Sequence, residues 1–169
     1  MRVGRHVARI ASAFGMKVIA WGRTLDAARA AEAGAEAVEL DALMRRADIV
    51  SIHATLARET RGLIDARRLA LMKPTAYLVN TARGPIVDER ALVDALAQRR
   101  IAGAALYVFD EEPLPPGHPL TALDNVVLTP HLGWPTDRKY AQFADAAADV
   151  LIAWLDGRDV PRFDDRAHA

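Results

Sequence analysis

Three polar side chains stand where the chain leaves an apolar run: Arg83 in NTARG, Glu112 in FDEEP and His131 in TPHLGW. If those runs are parallel strands, all three residues fall at strand carboxyl ends, where α/β sheets bind ligands. An arginine placed there can hold a carboxylate through two parallel hydrogen bonds, because its planar fork matches the two oxygens. Arginine, carboxylate and imidazole converging on one crevice form an active-site arrangement. Taken singly, each has a plainer explanation: a solvated charge, a loop surface and a strand cap.

The elements needed to position these groups are legible in the pattern. Short apolar runs alternate with longer amphipathic segments, as in βαβ units with a parallel sheet covered by helices. Strands are expected at Met16–Trp21, Asp48–His53, Thr75–Asn80, Ala104–Phe109 and Asn125–Thr129, with a weaker one at Ala35–Val38. Helices are expected at Arg5–Phe14, Leu25–Ala33, Leu40–Arg46, Asp65–Met72, Glu89–Arg100 and about Asp137–Asp156. Gly15 and Gly34 are placed to close the first two, and Asp88 to cap the fifth, which should end near Gly103. The proline-rich segment from Glu111 to Pro119 must be loop. These spacings give one doubly wound, Rossmann-like α/β domain over residues 1–156, and a polar tail over 157–169.

Composition narrows the partners. The 169 residues carry 22 Lys+Arg against 22 Asp+Glu, five histidines and no cysteine, with 51% hydrophobic residues. A neutral chain has no global field for nucleic acid or anionic lipid, so neither partner is expected. Lack of cysteine removes disulfides and thiolate metal sites, and no metal cage is expected. The N-terminal segment is broken by Arg2, Arg5, His6 and Arg9, unlike a signal peptide or a membrane span. A small-molecule ligand, a reducing cytoplasmic setting and possible self-association remain.

One feature of the pattern is unmatched. A helix opens after Gly4 with no strand before it, although every other helix is preceded by one. Gly4 and the strand ending at Trp21 look like the second half of a dinucleotide-binding βαβ unit, with only the last glycine of G-x-G-x-x-G present. The first strand is therefore expected to be missing. Its absence would leave unpaired edges on the Met16–Trp21 and Asp48–His53 strands, from truncation or from a degenerate gene product.

In combination, NTARGPIVDERAL, FDEEP and TPHLG resemble the D-isomer-specific 2-hydroxyacid dehydrogenases, and the similarity covers nearly the whole chain. The resemblance implies the dinucleotide domain of a two-domain oxidoreductase that interconverts a D-2-hydroxyacid and a 2-oxoacid with NAD or NADP. It implies that Arg83 binds the substrate carboxylate and helps polarise the C2 oxygen. His131 would be the general acid/base, and Glu112 would hydrogen-bond the other ring nitrogen and favour imidazolium. Cofactor contacts are implied for Arg2, Val3 and Gly4, for Gly22, Arg23 and Thr24, for Thr81, Ala82 and Arg83, and for Tyr107, His131 and Gly133. His6, His118 and His168 gain no role and read as structural or solvated. His53 can line the cofactor crevice or be a near-core histidine, and Trp134 can wall the pocket or simply pack. A homodimer is implied too, and Val7, Ile10, Ala11 and Phe14 on the first helix suit either that contact or packing on the sheet.

Three positions depart from the family pattern. Gly22-Arg23-Thr24 stands where an acidic residue usually meets the adenosine ribose; losing the carboxylate and gaining a cation and a hydroxyl favours NADP(H). Tyr107 replaces the aspartate that helps seat the nicotinamide, and Thr55 replaces a proline. Against the enzyme stand a nucleotide-sensing or interaction module that has lost catalysis, and an inactive remnant.

Overall fold

The computed structural model describes residues 2–133 and 135–160. Two compact units are present, dividing after Pro130.

The first unit is built from parallel strands and helices. Its order is α1 (Arg2–Ala13), β1 (Val18–Ala20), α2 (Ala27–Ala31), β2 (Ala35–Ala37), α3 (Leu40–Arg46), β3 (Ile49–Ile52), α4 (Ala66–Leu69), β4 (Tyr77–Asn80), α5 (Glu89–Ala97), β5 (Gly103–Leu106) and β6 (Val126–Leu128). Short 3₁₀ turns lie at Gly84–Ile86 and Pro119–Ala122. Every expected strand is present and shorter than expected, and β5 begins one residue early, at Gly103, and ends at Leu106 rather than Phe109. All strand pairings are parallel, the α/β doubly wound class that the pattern implied.

The strands form two sheets, one ordered β1-β2 and the other β3-β4-β5-β6. Among the described residues nothing pairs with the second edge of β1 or of β3. These are the two edges expected to lack a partner. The larger sheet holds the core: Val50 and Ile52 from β3, Leu78 from β4 and Leu106 from β5 pack with Met44, Leu69, Leu92 and Leu96 from the helices. Burial of these apolar side chains is the main force that holds the strand ends in register.

Local chemistry explains most helix boundaries. Asp26, Asp65 and Asp88 each accept a hydrogen bond from the backbone N–H three residues on, at 2.8, 2.8 and 3.0 Å, so α2, α4 and α5 begin after their caps. Helix α2 is shorter than expected, Ala27–Ala31 instead of Leu25–Ala33, and the boundaries of three further helices also differ. Helix α1 starts at Arg2, so Gly4 lies within its first turn instead of before it. A β-carbon on Gly4 would sit 3.3 Å from Cβ of His53, so this glycine serves close helix–strand approach. The expected Asp65–Met72 helix ends at Leu69, because Leu71 and Met72 make bonds to carbonyls three residues back and Pro74 follows. Helix α5 stops at Ala97, with Arg99 turning left-handed at φ 53°. Gly103 does not end it; this glycine opens β5, where a β-carbon would press on the Tyr77 ring and the Asn125 carbonyl.

The second unit contains α6 (Asp137–Leu155), capped by Thr136, whose hydroxyl accepts from the Lys139 N–H at 3.3 Å. Trp134 and residues 161–169, including His168, lie outside the described residues, as does the Arg2 side chain.

Candidate active site

Arg83 sits on a turn that the end of β4 builds. Asn80, the last residue of that strand, is 1% exposed. Its side-chain NH₂ donates to the Arg83 carbonyl at 2.9 Å, and its side-chain oxygen accepts from the Ala82 N–H at 3.0 Å. A buried amide that satisfies two backbone groups fixes the path of Thr81, Ala82 and Arg83. Above this turn the Arg83 guanidinium is exposed and donates to the Ala82 carbonyl at 2.6 Å. Among the described residues no carboxylate pairs with it, so the fork retains donors for an incoming anion.

The neighbouring strand delivers Glu112. Strands β4 and β5 pair from Tyr77↔Gly103 to Asn80↔Leu106, and the Tyr107 N–H continues the ladder to the Asn80 carbonyl at 3.1 Å. Beyond it the Glu112 carboxylate accepts from the Phe109 N–H at 3.1 Å, which folds the FDEEP segment back on itself. Gly84, next to Arg83, lies against the Phe109 and Asp110 main chain, so closely that a β-carbon would overlap it. The Arg83 turn and the Glu112 turn are therefore in backbone contact.

A second carboxylate fastens the loop. Glu89, the first residue of α5, accepts from the Asp110 N–H at 3.2 Å and meets His118 Nε2 at 3.1 Å. His118 Nδ1 faces the Leu120 N–H at 3.3 Å and accepts from it, so Nε2 carries the proton toward Glu89. Of the two readings left open for His118, the structural one holds. Burial, with Glu89 close by, pushes the Asp110 carboxyl above the usual range, although Arg61 opposes the shift.

At the far end of the carboxyl edge, β1 runs into Gly22, Arg23 and Thr24. A turn closed by the Leu25 N–H on the Gly22 carbonyl at 3.0 Å carries them. Arg23 is exposed and pairs with Glu59 at 2.9 Å. His53, just past β3, is half-buried, and Ser51 Oγ stands 3.0 Å from its Nε2. Burial lowers its pKa below the usual imidazole value. One surface pocket, lined by Trp21, Glu39, Leu40, Asp41, Leu63 and Arg68, includes none of the expected site residues.

The first unit thus brings together Arg83 and Glu112, with Thr81, Ala82 and Tyr107 around them, and separately gathers Gly22, Arg23 and Thr24. Gly4 and Val3 lie on α1. His131 and Gly133 belong to the second unit, in the segment that follows β6 by a few residues. Asn80, Gly84, Glu59 and Glu89 were not expected as site-forming residues. A polar residue ending an apolar strand was the available signal for Asn80. No comparable pattern marked the other three.

Parallel strands whose carboxyl ends carry a closely packed glycine, a cationic turn and an anion-ready arginine define a nucleotide-binding α/β domain. The family described as D-isomer specific 2-hydroxyacid dehydrogenase, NAD binding domain, matches residues 2–133, and the chain belongs to it. A glyoxylate reductase of Aeropyrum pernix is 49% identical over 165 residues, covering 98% of this chain and 49% of that protein. A putative D-3-phosphoglycerate dehydrogenase from Ralstonia solanacearum superposes with a TM-score of 0.85 at 37% identity, covering 94% of this chain and 47% of the other. An acyclic imino acid reductase, solved with NADPH and D-Arg, gives 0.74 at 34% identity over 94% of this chain and 49% of its own. The chain spans about half the length of the curated glyoxylate reductase it matches. Among the described residues no helix is long and apolar enough to cross a membrane, and no group of three His, Asp or Glu could hold a metal.

Proposed function

We propose that the polypeptide carrying this chain is an NAD(P)-dependent oxidoreductase that interconverts a D-2-hydroxyacid and a 2-oxoacid, with glyoxylate-like acids as the first substrates to try. The supporting observation is the Arg83 turn: it carries an exposed guanidinium, buried Asn80 holds its main chain, and through Gly84 it is in backbone contact with the segment that carries Glu112. Similarity to a glyoxylate reductase supports the substrate class.

In this reading Arg83 grips the substrate carboxylate and lies near the C2 oxygen, where its charge offsets the negative charge that develops on reduction. His131 gives a proton to that oxygen and takes it back in the reverse direction. Glu112 is the carboxylate assigned, in this reading, to orienting the general acid/base. A nicotinamide cofactor, when bound, would supply or receive the hydride. Gly4, close to His53, and the exposed Arg23–Thr24 turn fit the dinucleotide; Tyr107 offers the nicotinamide a phenol where the family has a compact carboxylate. Gly22, Arg23 and Thr24 favour NADP(H), because a cation and a hydroxyl stand where a carboxylate would meet the ribose.

We read residues 1–156 as the dinucleotide domain with its returning helix, working in the cytoplasm as a homodimer. Val7, Ile10 and Phe14 support the dimer, because α1 leaves them 37, 58 and 82% exposed.

The test is oxidation of NADPH and NADH by the full-length gene product with glyoxylate, hydroxypyruvate and phenylpyruvate. His131→Asn is expected to lower kcat by about 10²–10⁴-fold. Arg83→Gln should raise KM for the oxoacid and lower kcat, with a smaller effect on cofactor affinity. Cofactor binding without turnover on any oxoacid would favour the non-catalytic module instead.

A further inference from the structure

The ion pair between Arg23 and Glu59 joins two segments that leave the carboxyl ends of different strands. Arg23 follows β1, and Glu59 lies on the segment between β3 and α4. That segment has a fixed course. Thr60, 4% exposed, accepts through its hydroxyl from the Ala57 N–H at 2.8 Å and donates to the Thr55 carbonyl at 2.7 Å. The N–H groups of Thr60 and Arg61 both reach the Ala57 carbonyl, at 3.1 and 3.0 Å, and the Gly62 N–H reaches the Pro85 carbonyl at 2.8 Å. Glu59 is therefore presented from a tight turn, and its Oε2 meets Arg23 Nη1 at 2.9 Å.

This contact changes what Arg23 can offer a cofactor. An arginine just past this strand accommodates a 2′-phosphate, whereas an acidic residue there hydrogen-bonds a ribose 2′-hydroxyl. The chain has Gly22 in place of the acid, but Glu59 brings a carboxylate to the same guanidinium from another element. Its negative charge offsets the attraction of Arg23 for a phosphate dianion and repels the phosphate directly. The same oxygens can accept from a ribose hydroxyl. Only Nη1 is engaged, so the rest of the fork stays available to phosphate.

The geometry points to Glu59 as a specificity-determining residue, whose carboxylate restrains NADP(H) binding at Arg23 and sustains NAD(H) binding at the same corner. This rests on reading the Gly22–Thr24 turn as the adenosine ribose site. It goes further by assigning the selectivity between the two cofactors to a side chain outside that turn.

Dissociation constants of NADPH and NADH test it, measured directly on the full-length polypeptide as wild type, Glu59→Gln, Arg23→Gln and the double variant. Glu59→Gln should bind NADPH about two- to fivefold more tightly relative to NADH, the range expected for one exposed charge pair. The gain should shrink as salt is raised and vanish in the double variant compared with Arg23→Gln. A ratio unchanged by Glu59→Gln, or a gain that survives loss of Arg23, overturns the assignment. Wild-type protein that binds neither nucleotide would overturn the ribose-site reading as well. Wild-type protein that binds both, with an unmoved ratio, overturns the role of Glu59 alone.

Discussion

Gly84 packs directly on the main chain of Phe109, leaving no room for a β-carbon between the Arg83 turn and the start of the Glu112 segment. Backbone lines both sides of this contact, so a side chain cannot be accommodated by a rotamer change. Gly84→Ala is expected to push the two turns apart and to cost at least about 1–3 kcal/mol, the usual scale for overpacking. Thermal unfolding should show the loss. In the active full-length protein, oxoacid KM should rise more than the dissociation constant of either cofactor. Unchanged stability and KM would mean that the two turns move independently.

Asn80 makes a comparable prediction through hydrogen bonds. Its side chain serves the Arg83 carbonyl and the Ala82 N–H from a site with almost no solvent. Asn80→Ala strands both backbone groups, at a cost of about 1–3 kcal/mol for each that stays buried and unpaired. Asn80→Asp keeps an acceptor for Ala82 but loses the donor to Arg83, and adds a buried charge. Both variants should melt earlier than wild type by calorimetry. Full retention of stability would show that the turn is held by Gly84 and Pro85 alone.

The loop carrying Glu112 is clasped from α5, and Glu89 is the clasp. Glu89→Ala removes its bonds to the Asp110 N–H and His118 together, each worth about 0.5–1.5 kcal/mol. Faster amide exchange is expected over residues 110–118, with little change in β3. Glu89→Gln should rescue part of the protection, since a neutral amide oxygen still accepts from one partner. Equal exchange in wild type and Glu89→Ala would remove the clasp from the account.

Much of this site is visible in the sequence because strand ends are marked by chemistry. A run of apolar residues cannot continue through Thr81-Ala82-Arg83-Gly84, and an aspartate such as Asp88 advertises the helix that follows. Alternation of strand and helix then places Arg83 and Glu112 beyond the carboxyl ends of adjacent strands. Contacts between segments distant in sequence are harder to read. Gly84 resembles any turn glycine until Phe109 is packed on it, and Gly103 resembles a helix stop until Tyr77 and Asn125 surround it. Glu59 and Arg23 are 36 residues apart, and no periodicity links an exposed acid to an exposed base. Helix α1 misleads only in where it starts: as the last glycine of the dinucleotide pattern Gly4 is expected to allow close helix–strand packing, and His53 is the residue it approaches.

His53 supplies a pH dependence that separates burial from charge pairing. Its pKa is lowered because the half-buried ring is poorly solvated as a cation, while the unfolded chain keeps the ordinary value near 6.5. Between the two values the unfolded state binds more protons, so stability rises with pH through that window. The stabilising contribution is complete above pH 6.5 and is lost as pH falls through the lower, folded value. Melting temperature should therefore begin to decline as pH falls through about 6.5 and go on declining until the folded-state imidazole is protonated. His53→Gln keeps a polar side chain near Ser51 but has nothing to titrate, and its decline over that range should be shallower. Asp41, held down to about 2 by Arg67 and then Arg68, stays ionised throughout and does not confuse the comparison. If His53→Gln follows the wild-type curve, the acid sensitivity belongs to other groups and the burial of His53 carries no stability cost on protonation.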